Sequence, residues 1–375
     1  MLARGVAARP PSGHDASVRV LHLVAADRWT GAAATALQLA EALRAAGVEC
    51  HFAYRPGRNL EQRLSALPWC RPALVKERTP GQLRAAVHRV GSLAQGFDVL
   101  HVHLPHDHAL LRLARPRVAG AVVRSVHDPG HLRADLFHRW LFRGTHALAL
   151  SNSALLERSQ RDAVLGPLPA TVLPIALEPR FRPTGDGAAV RARLGIPADA
   201  VVVGTIGKLV RGRGHDLYLR ALAATPGVWG ILIGKGPFLS GLQRLAARLG
   251  VVDRVVFPGY VEDGLESLYA AMDLFVFPAA GSDHAHRAIA EAAGCGVPTL
   301  AADLPGVRDL VEAGRTGALY PAADAAALAV LIRDWAADPP RRHAAGDAAA
   351  RRAARSWTPA RLAAAALGLY HALVP

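Results

Sequence analysis

Short runs rich in β-branched residues alternate with longer Ala- and Leu-rich segments along almost the whole chain, and this alternation occurs as two successive series. The strand candidates of the first series are 18–24, 48–54, 98–104, 121–127, 146–151 and 170–175. Those of the second series are 201–207, 229–234, 254–260, 274–279, 298–303 and 317–320. Strands that alternate with helical segments are typical of parallel sheets covered by helices. The sequence therefore predicts an α/β fold with two Rossmann-like parallel-sheet domains.

A turn-rich segment at 178–187, EPRFRPTGDG, separates the two series and predicts the domain linker. We place an N-terminal domain at 18–184, a C-terminal domain at 185–355, and at 356–375 a last helix that packs back toward the N-terminal domain. Residues 1–17 lack the apolar core of a secretory signal and are predicted to form a disordered tail. Ligands of open parallel sheets bind beyond the carboxyl ends of the strands, so we expect the site in a cleft between the domains.

The charge of the chain is distributed unevenly. The formal net charge is +14, and residues 1–184 hold 24 basic against 13 acidic residues, whereas 185–375 hold 20 against 17. A basic half favours an anionic partner, such as nucleic acid, an anionic lipid surface, or a phosphorylated or acidic acceptor. Aromatic residues make up only 6% of the chain, and none interleave with basic residues in a recognition module. We therefore predict no nucleic-acid partner.

The cysteines and the hydropathy indicate the compartment. Cys50, Cys70 and Cys295 are widely spaced and odd in number, which argues against a disulfide framework and favours a reducing, cytoplasmic location. No stretch of about 18 apolar residues occurs, so the sequence predicts no membrane span. Peripheral attachment at the inner face of the membrane stays open.

Residues 204–222, GTIGKLVRGRGHDLYLRAL, run from a strand through a Gly-rich loop with Lys208, Arg211 and Arg213 into a helix. Loop amides and a helix N-terminus point at an anion while the cations neutralise it, as a diphosphate requires. The segment is not a Walker A loop, because no Gly-Lys is followed by Ser or Thr. A solvated basic loop is the alternative interpretation.

The segment 273–303 ends a strand in a small-residue loop, which is followed by a helix that carries Glu291. This carboxylate can accept hydrogen bonds from ribose hydroxyls, while the loop amides and Asp283 meet sugar hydroxyls. For Glu291 the alternative is an ordinary position on a helix surface.

These segments resemble family 4 of the nucleotide-sugar glycosyltransferases, which have two Rossmann domains in the GT-B arrangement, and the resemblance covers most of the chain. The family's Gly-Arg-Leu…Lys-Gly motif appears as Gly207-Lys208-Leu209…Arg213-Gly214, with the two cations exchanged. Its Glu, seven residues, Glu motif appears as Asp283 followed by Glu291, and His286 replaces a glycine between them. The resemblance implies a retaining transfer of a sugar from a nucleoside diphosphate sugar to an acceptor hydroxyl, in bacterial cell-envelope glycan, glycolipid or polysaccharide synthesis.

The resemblance also implies the roles of individual residues. Lys208, Arg213 and His127 are expected to be catalytic, since the cations stabilise the departing diphosphate and His127, in SVHDPG, lies beside the transferred sugar. The implied donor-binding residues are Gly31, Gly207, Gly234, Gly236, Tyr260, Asp283, His286, Ala288, Ile289 and Glu291. A polar cluster at the strand ends, His103, Arg124 and His131, is predicted to bind a saccharide or lipid-linked acceptor.

The run HVHLPHDH at 101–108 raises the question of a metal ion. Zinc requires three or four converging ligands with supporting partners, and no firm fourth ligand is present. We therefore predict no protein-bound metal and no cofactor besides the nucleoside diphosphate sugar that is the substrate. Three alternatives stay open: a nucleotide-sugar epimerase, a phosphorylase, and a non-catalytic relative that binds saccharide or membrane.

Overall fold

The computed structural model describes residues 18–26, 29–75, 77–132, 135–261, 263–278 and 283–374. Within these residues the chain forms two parallel sheets, of seven and six strands, with helices between the strands. The prediction of two Rossmann-like parallel-sheet domains is confirmed. The predicted tail at 1–17 lies outside the described residues, and the domain boundaries stay predictions.

The first sheet has the strand order β3-β2-β1-β4-β5-β6-β7. Its strands are β1 Arg19–Val24, β2 Glu49–Tyr54, β3 Cys70–Pro72, β4 Val99–Val102, β5 Ala121–Val126, β6 Ala147–Leu150 and β7 Ala170–Val172. The helices between them are α1 Gly31–Ala45, α2 Arg58–Leu64, α3 Pro80–Leu93, α4 Pro105–Ala114, α5 Leu136–Phe142 and α6 Ser153–Gln160. The edge strand β3 is the one strand that the sequence pattern misses in this sheet.

The second sheet has the strand order β10-β9-β8-β11-β12-β13. Its strands are β8 Val201–Ile206, β9 Val228–Ile233, β10 Val255–Gly259, β11 Leu274–Phe277, β12 Thr299–Ala302 and β13 Gly317–Tyr320. Its helices are α7 Gly187–Arg193, α8 His215–Ala223, α9 Leu239–Arg248, α10 Leu265–Ala270, α11 Asp283–Gly294, α12 Ala325–Ala336 and α13 Pro339–Ser356. In both sheets the order changes direction beside the first strand, β1 or β8, and at such a switch point ligands bind.

Helix α1 borders the cleft, and Thr30 caps its N-terminus. The Thr30 side chain accepts a hydrogen bond from the backbone N–H of Ala33 at 3.2 Å, so the helix begins at Gly31. Gly47, with φ of +86°, follows the last turn in the left-handed conformation that favours glycine. The buried face of α1 packs on the first sheet.

The last helix, α14 Pro359–His371, follows the second domain in sequence and packs against α1 of the first. Its buried side chains Leu362, Ala366, Leu369 and Tyr370 belong to the same hydrophobic core as α1 and β1. Burial of this apolar face, at about 25 cal/mol per Å², favours the crossing. No helix among the described residues is both long and apolar enough to span a bilayer.

Candidate functional site

The cleft between the two sheets contains two adjoining cavities. The large cavity has a volume of about 940 Å³ and lies over the ends of β8, β9 and β10. The small cavity has a volume of about 160 Å³ and lies over the ends of β4, β5 and β6. Ala34, Gln38 and Arg287 line both. The predicted position of the site, beyond the carboxyl ends of the strands, agrees with these cavities.

Two glycine-rich turns form the wall of the large cavity on the side of the second sheet. Gly207 follows β8, and the Gly234-Lys235-Gly236 turn follows β9. A Cβ atom on Gly234 would lie 1.9 Å from the Gly207 carbonyl oxygen, and one on Gly236 would lie 2.1 Å from the Leu209 carbonyl oxygen. Only glycine permits this close approach of the two turns. Predicted residues Gly207, Gly234 and Gly236 therefore lie together.

Two lysines line the large cavity beside these turns, Lys208 and Lys235. The Lys235 ammonium lies 3.6 Å from the centre of the Tyr260 ring, so the predicted Tyr260 is also in place. Lys235 is not among the predicted site residues, although its place between two glycines in a strand-end turn is a usable signal. Arg213 does not line this cavity, and Arg211 stacks over Phe238 instead, 4.6 Å from the ring centre. Lys208 and Lys235 are thus the two lysines that lie beside the glycine turns of this cavity.

Glu291, on helix α11, also lines the large cavity. Only 8% of the residue is exposed, so its interpretation as an ordinary surface residue is wrong. Arg287 Nε donates to Glu291 Oε1 at 3.0 Å, and the Tyr269 hydroxyl donates to Oε2 at 3.1 Å. Burial raises the pKa of Glu291, while the Arg287 guanidinium is the strongest cause that lowers it. The cavity thus holds a buried carboxyl group whose pKa is raised by burial, and the neighbouring Arg287 cation opposes that rise.

The remaining predicted residues of the 283–291 motif lie in different places. The side chain of Asp283 is outside the described residues. His286 lines the small cavity and packs edge-on against Phe277, with ring centres 5.4 Å apart. The Ala288 carbonyl accepts a hydrogen bond from Tyr269 at 3.2 Å, and neither cavity is lined by this alanine. Ile289 is 1% exposed within the hydrophobic core, so its side chain does not reach either cavity.

The small cavity is lined by residues of both halves of the molecule. Gly31, His103 and His127 contribute from the first sheet and its helices, and His286 and Asp309 from the second. His127 and His286 therefore line the same cavity, one from each domain. His131 does not line either cavity.

The prediction that Arg124 reaches the cleft is wrong. Side chains alternate between the two faces of a strand, and along β5 it is Ser125 that lines the small cavity, followed two residues later by His127. Arg124 points to the opposite face and is 1% exposed. Burial lowers its pKa to about 10, and the nearby Asp107 is the cause that opposes this shift. Arg124 is a buried structural cation rather than an acceptor ligand.

Three histidines, His22, His101 and His103, stack beneath the small cavity with ring centres 4.4 to 5.2 Å apart. His101 uses both ring nitrogens, toward the Tyr370 hydroxyl at 2.7 Å and the Ser125 hydroxyl at 2.8 Å. Ring nitrogens of all three lie within 4.8 Å of one another, a spacing open to a metal ion. His22 Nδ1 and His103 Nε2 lie 2.9 Å apart, at hydrogen-bonding distance, so two of these nitrogens already have each other as partners.

The other two histidines of the 101–108 run have separate partners. His106 Nε2 lies 2.7 Å from Glu77 Oε2, and His108 Nε2 lies 3.0 Å from the Thr145 hydroxyl. The run therefore does not act as one ligand set. The prediction of no protein-bound metal stays a prediction.

Two protein-family models and several known proteins are similar to this chain. A family model described as Glycosyl transferases group 1 matches residues 187–352, and one described as Glycosyltransferase Family 4 matches residues 29–161. The chain is 31% identical over 324 residues to a D-inositol 3-phosphate glycosyltransferase of Streptomyces avermitilis, covering 75% of this chain and 68% of the relative.

A second relative is a GDP-mannose-dependent alpha-(1-6)-phosphatidylinositol monomannoside mannosyltransferase of Mycolicibacterium smegmatis. It is 35% identical over 262 residues, which cover 65% of this chain and 68% of the relative. Among solved structures, Anabaena HepE in complex with UDP matches with a TM-score of 0.82 at 21% identity, over 95% of this chain and 100% of that chain. At this level of sequence identity, the structural match shows only that the two chains share a fold.

Proposed function

The chain belongs to the glycosyl transferases group 1 family and is a glycosyltransferase of GT-B architecture, and we propose that its donor is a nucleoside diphosphate sugar. The observation that carries this proposal is the large cavity, where two lysines and two glycine turns face a buried carboxylate. Backbone amides of the turns and the ammonium groups of Lys208 and Lys235 suit a diphosphate. Glu291 suits the hydroxyls of a ribose.

The acceptor occupies the small cavity in this proposal. The donor sugar then lies beside Arg287, where the cavities adjoin, and the acceptor hydroxyl approaches from the part of the small cavity that His127 and His286 line. The lysines stabilise the charge that develops on the departing diphosphate, and because they are already in place, no rearrangement is needed in the transition state. Retention of anomeric configuration follows from the resemblance to family 4.

The names of the two relatives support a bacterial glycolipid or cell-envelope glycan as the product. One is named for inositol 3-phosphate and the other for a phosphatidylinositol mannoside, so both names include a phosphorylated acceptor. A cytoplasmic location agrees with three cysteines that are all free and buried.

We propose that helix α5 and the end of α4 contact an anionic membrane. Leu136 is 83% exposed, Phe137 is 53% exposed, and Leu113 on α4 is 42% exposed. The exposed Arg139 and Arg143 lie on or directly after α5. Apolar side chains that insert and cations that meet lipid phosphates together favour binding at the surface of an anionic bilayer. This surface, which we call the α5 patch, follows β5 and His127 in the chain.

The donor proposal is tested by thermal denaturation with saturating UDP, GDP and ADP. A ligand that binds the native state raises the melting temperature, by about 2.7 kcal/mol in stability at a concentration 100 times the Kd. We expect a shift with at least one of the three nucleotides. If none of them shifts the melting temperature, the donor proposal is wrong.

A further inference from the structure

The guanidinium group of Arg287 donates hydrogen bonds to three side chains from three separate parts of the chain. Its Nε donates to Glu291 on the same helix at 3.0 Å, and Nη1 donates to Gln38 Oε1 on α1 at 2.8 Å. Its Nη2 donates to Glu178 Oε1, in the segment between β7 and α7, at 2.7 Å. One side chain thus connects the second domain, the first domain and the segment that joins them.

Arg287 also stands where the two cavities meet, since it lines both together with Gln38 and Ala34. Its side chain is 23% exposed, so the three bonds are partly shielded from water. A sugar that passes from a donor in the large cavity to an acceptor in the small cavity must pass this point. A group at this point can influence the transfer without supplying a proton or a nucleophile.

We propose that Arg287 is a positioning residue for the transfer. One arm orients the Glu291 carboxylate toward the donor, and the second arm, through Gln38, holds helix α1 of the first domain over the filled large cavity. This inference rests on the proposed function, because both arms act on a donor that is bound there. A guanidinium suits the task because its planar fork fixes the directions of several hydrogen bonds at once, which an ammonium does not.

The contact between Arg287 and Glu291, which is the first arm, has an electrostatic consequence that can be measured. Burial raises the pKa of Glu291, and Arg287 opposes this shift, while Glu178 adds to it. Without the guanidinium, Glu291 is expected to take up a proton at higher pH, and a neutral carboxyl group accepts hydrogen bonds from ribose hydroxyls less well. Loss of Arg287 should therefore weaken donor binding more at pH 6 than at pH 8.

The second arm has a different consequence, because Gln38 touches Arg287 but carries no charge. Removing its amide leaves the bond between Arg287 and Glu291 in place, and only the link across the cleft is lost. Donor affinity should then hold while turnover falls, since turnover depends on how the first domain is placed over the bound donor.

The experiment measures the affinity of UDP, GDP and ADP by titration calorimetry at pH 6 and pH 8, and the rate of hydrolysis of UDP-glucose and GDP-mannose. For the nucleotide that binds the wild-type protein, we expect Arg287→Met to weaken the affinity about tenfold at pH 8 and by a larger factor at pH 6. Arg287→Lys should restore most of the affinity and not the turnover. Gln38→Ala should keep the affinity within twofold and lower the hydrolysis rate about tenfold.

Arg161→Met is the matched control, because Arg161 also pairs with a glutamate four residues away, Glu157 at 3.2 Å, at the exposed C-terminal end of α6 and outside both cavity linings. It should behave as wild type in every assay. If Arg287→Met does not fold, the Arg287→Lys and Gln38→Ala measurements decide the question.

The outcomes separate the two levels of the argument. A wild-type protein that binds none of the three nucleotides overturns the proposed function and this inference with it. Nucleotide binding that Arg287→Met leaves unchanged at both pH values overturns this inference alone, as does a Gln38→Ala turnover equal to wild type.

Discussion

Ser153 donates two hydrogen bonds across the cleft to the carboxylate of Asp309, one from its backbone N–H at 2.6 Å and one from its hydroxyl at 2.5 Å. Ser153 is the first residue of α6 in the first domain, and Asp309 ends the short helix after β12 in the second. A carboxylate at a helix N-terminus is stabilised by the free amides and the helix dipole. This pair is therefore a second link between the domains, beside the small cavity that Asp309 lines.

We expect Asp309→Ala to lower the free energy of unfolding by about 1 to 3 kcal/mol, the usual cost of losing hydrogen bonds to a partly buried charge. Ser153→Ala removes only the hydroxyl and should cost less. Calorimetry of both variants and of the double variant gives their coupling energy, which we expect to exceed about 0.5 kcal/mol. Strictly additive effects would show that the bond between the Ser153 hydroxyl and the Asp309 carboxylate contributes nothing to stability.

The two lysines of the large cavity should each contribute to the binding of a nucleoside diphosphate. A hydrogen bond to a charged group is worth about 1.5 to 3 kcal/mol, so Lys208→Ala or Lys235→Ala should weaken binding roughly 10- to 100-fold. Titration calorimetry with the nucleotide that raises the melting temperature measures the effect. Arg244→Ala, an exposed cation on α9, is the control and should bind as wild type. Equal affinity in wild type and both lysine variants would exclude these two residues from the diphosphate site.

The alternation of strands and helices was enough to predict both sheets, because buried parallel strands form apolar runs that stand out from amphipathic helices. The pattern missed β3, whose three residues include the exposed Arg71 and a proline, since a short edge strand carries no such run. The local motifs likewise placed Gly207, Gly234 and Glu291, whose surroundings are formed by neighbouring turns and helices.

What the sequence could not provide were the contacts between distant segments. Arg287 meets Gln38 across 249 residues of chain and Glu178 across 109, and no local pattern marks those pairs. Arg124 illustrates a different limit. A polar residue near the end of a strand faces the opposite side of the sheet from its two neighbours in the chain, and the face cannot be assigned until the sheet's packing is known.

The stacked histidines should make the protein sensitive to acid. Burial lowers the pKa of His22 to about 3, and it lowers those of His101 and His103 well below their usual range. Between pH 6.5 and the lowered pKa values, the unfolded chain binds more protons than the folded one. Stability is therefore complete above pH 6.5 and is lost as the pH falls, by about 1.4 kcal/mol per pH unit for each histidine.

Asp107 acts in the opposite direction, since burial raises its pKa to about 7 and the folded state then takes up its proton first. The contribution of one histidine is measured by the slope of the unfolding free energy against pH, between pH 5 and pH 6.5, in wild type and in a variant that lacks that histidine. His22→Gln should reduce this slope by about 1.4 kcal/mol per pH unit. His343→Gln, at an exposed position of α13, is the control for replacing a histidine. An unchanged slope in His22→Gln would mean that His22 is not held neutral by the fold.

The α5 patch should bind vesicles that contain anionic lipid. In a flotation assay we expect the protein to rise with phosphatidylglycerol vesicles and not with phosphatidylcholine vesicles, and to be released by salt, because surface charges are screened over about 10 Å at 0.1 M. Arg139→Gln and Arg143→Gln should each weaken binding roughly fivefold, from about 1 kcal/mol per cation near an anionic surface. Leu136→Ser with Phe137→Ser should also weaken it.

Val252→Ser is the control for the serine substitutions. It removes from the second domain an apolar side chain that is 52% exposed, about as much as Phe137. It should float as wild type does. Binding that ignores lipid charge and salt would remove the electrostatic part of the proposal. If vesicle binding is unchanged in the double variant Leu136→Ser with Phe137→Ser and in the two arginine variants, the membrane contact lies elsewhere on the protein. The α5 patch would then be free for a protein partner.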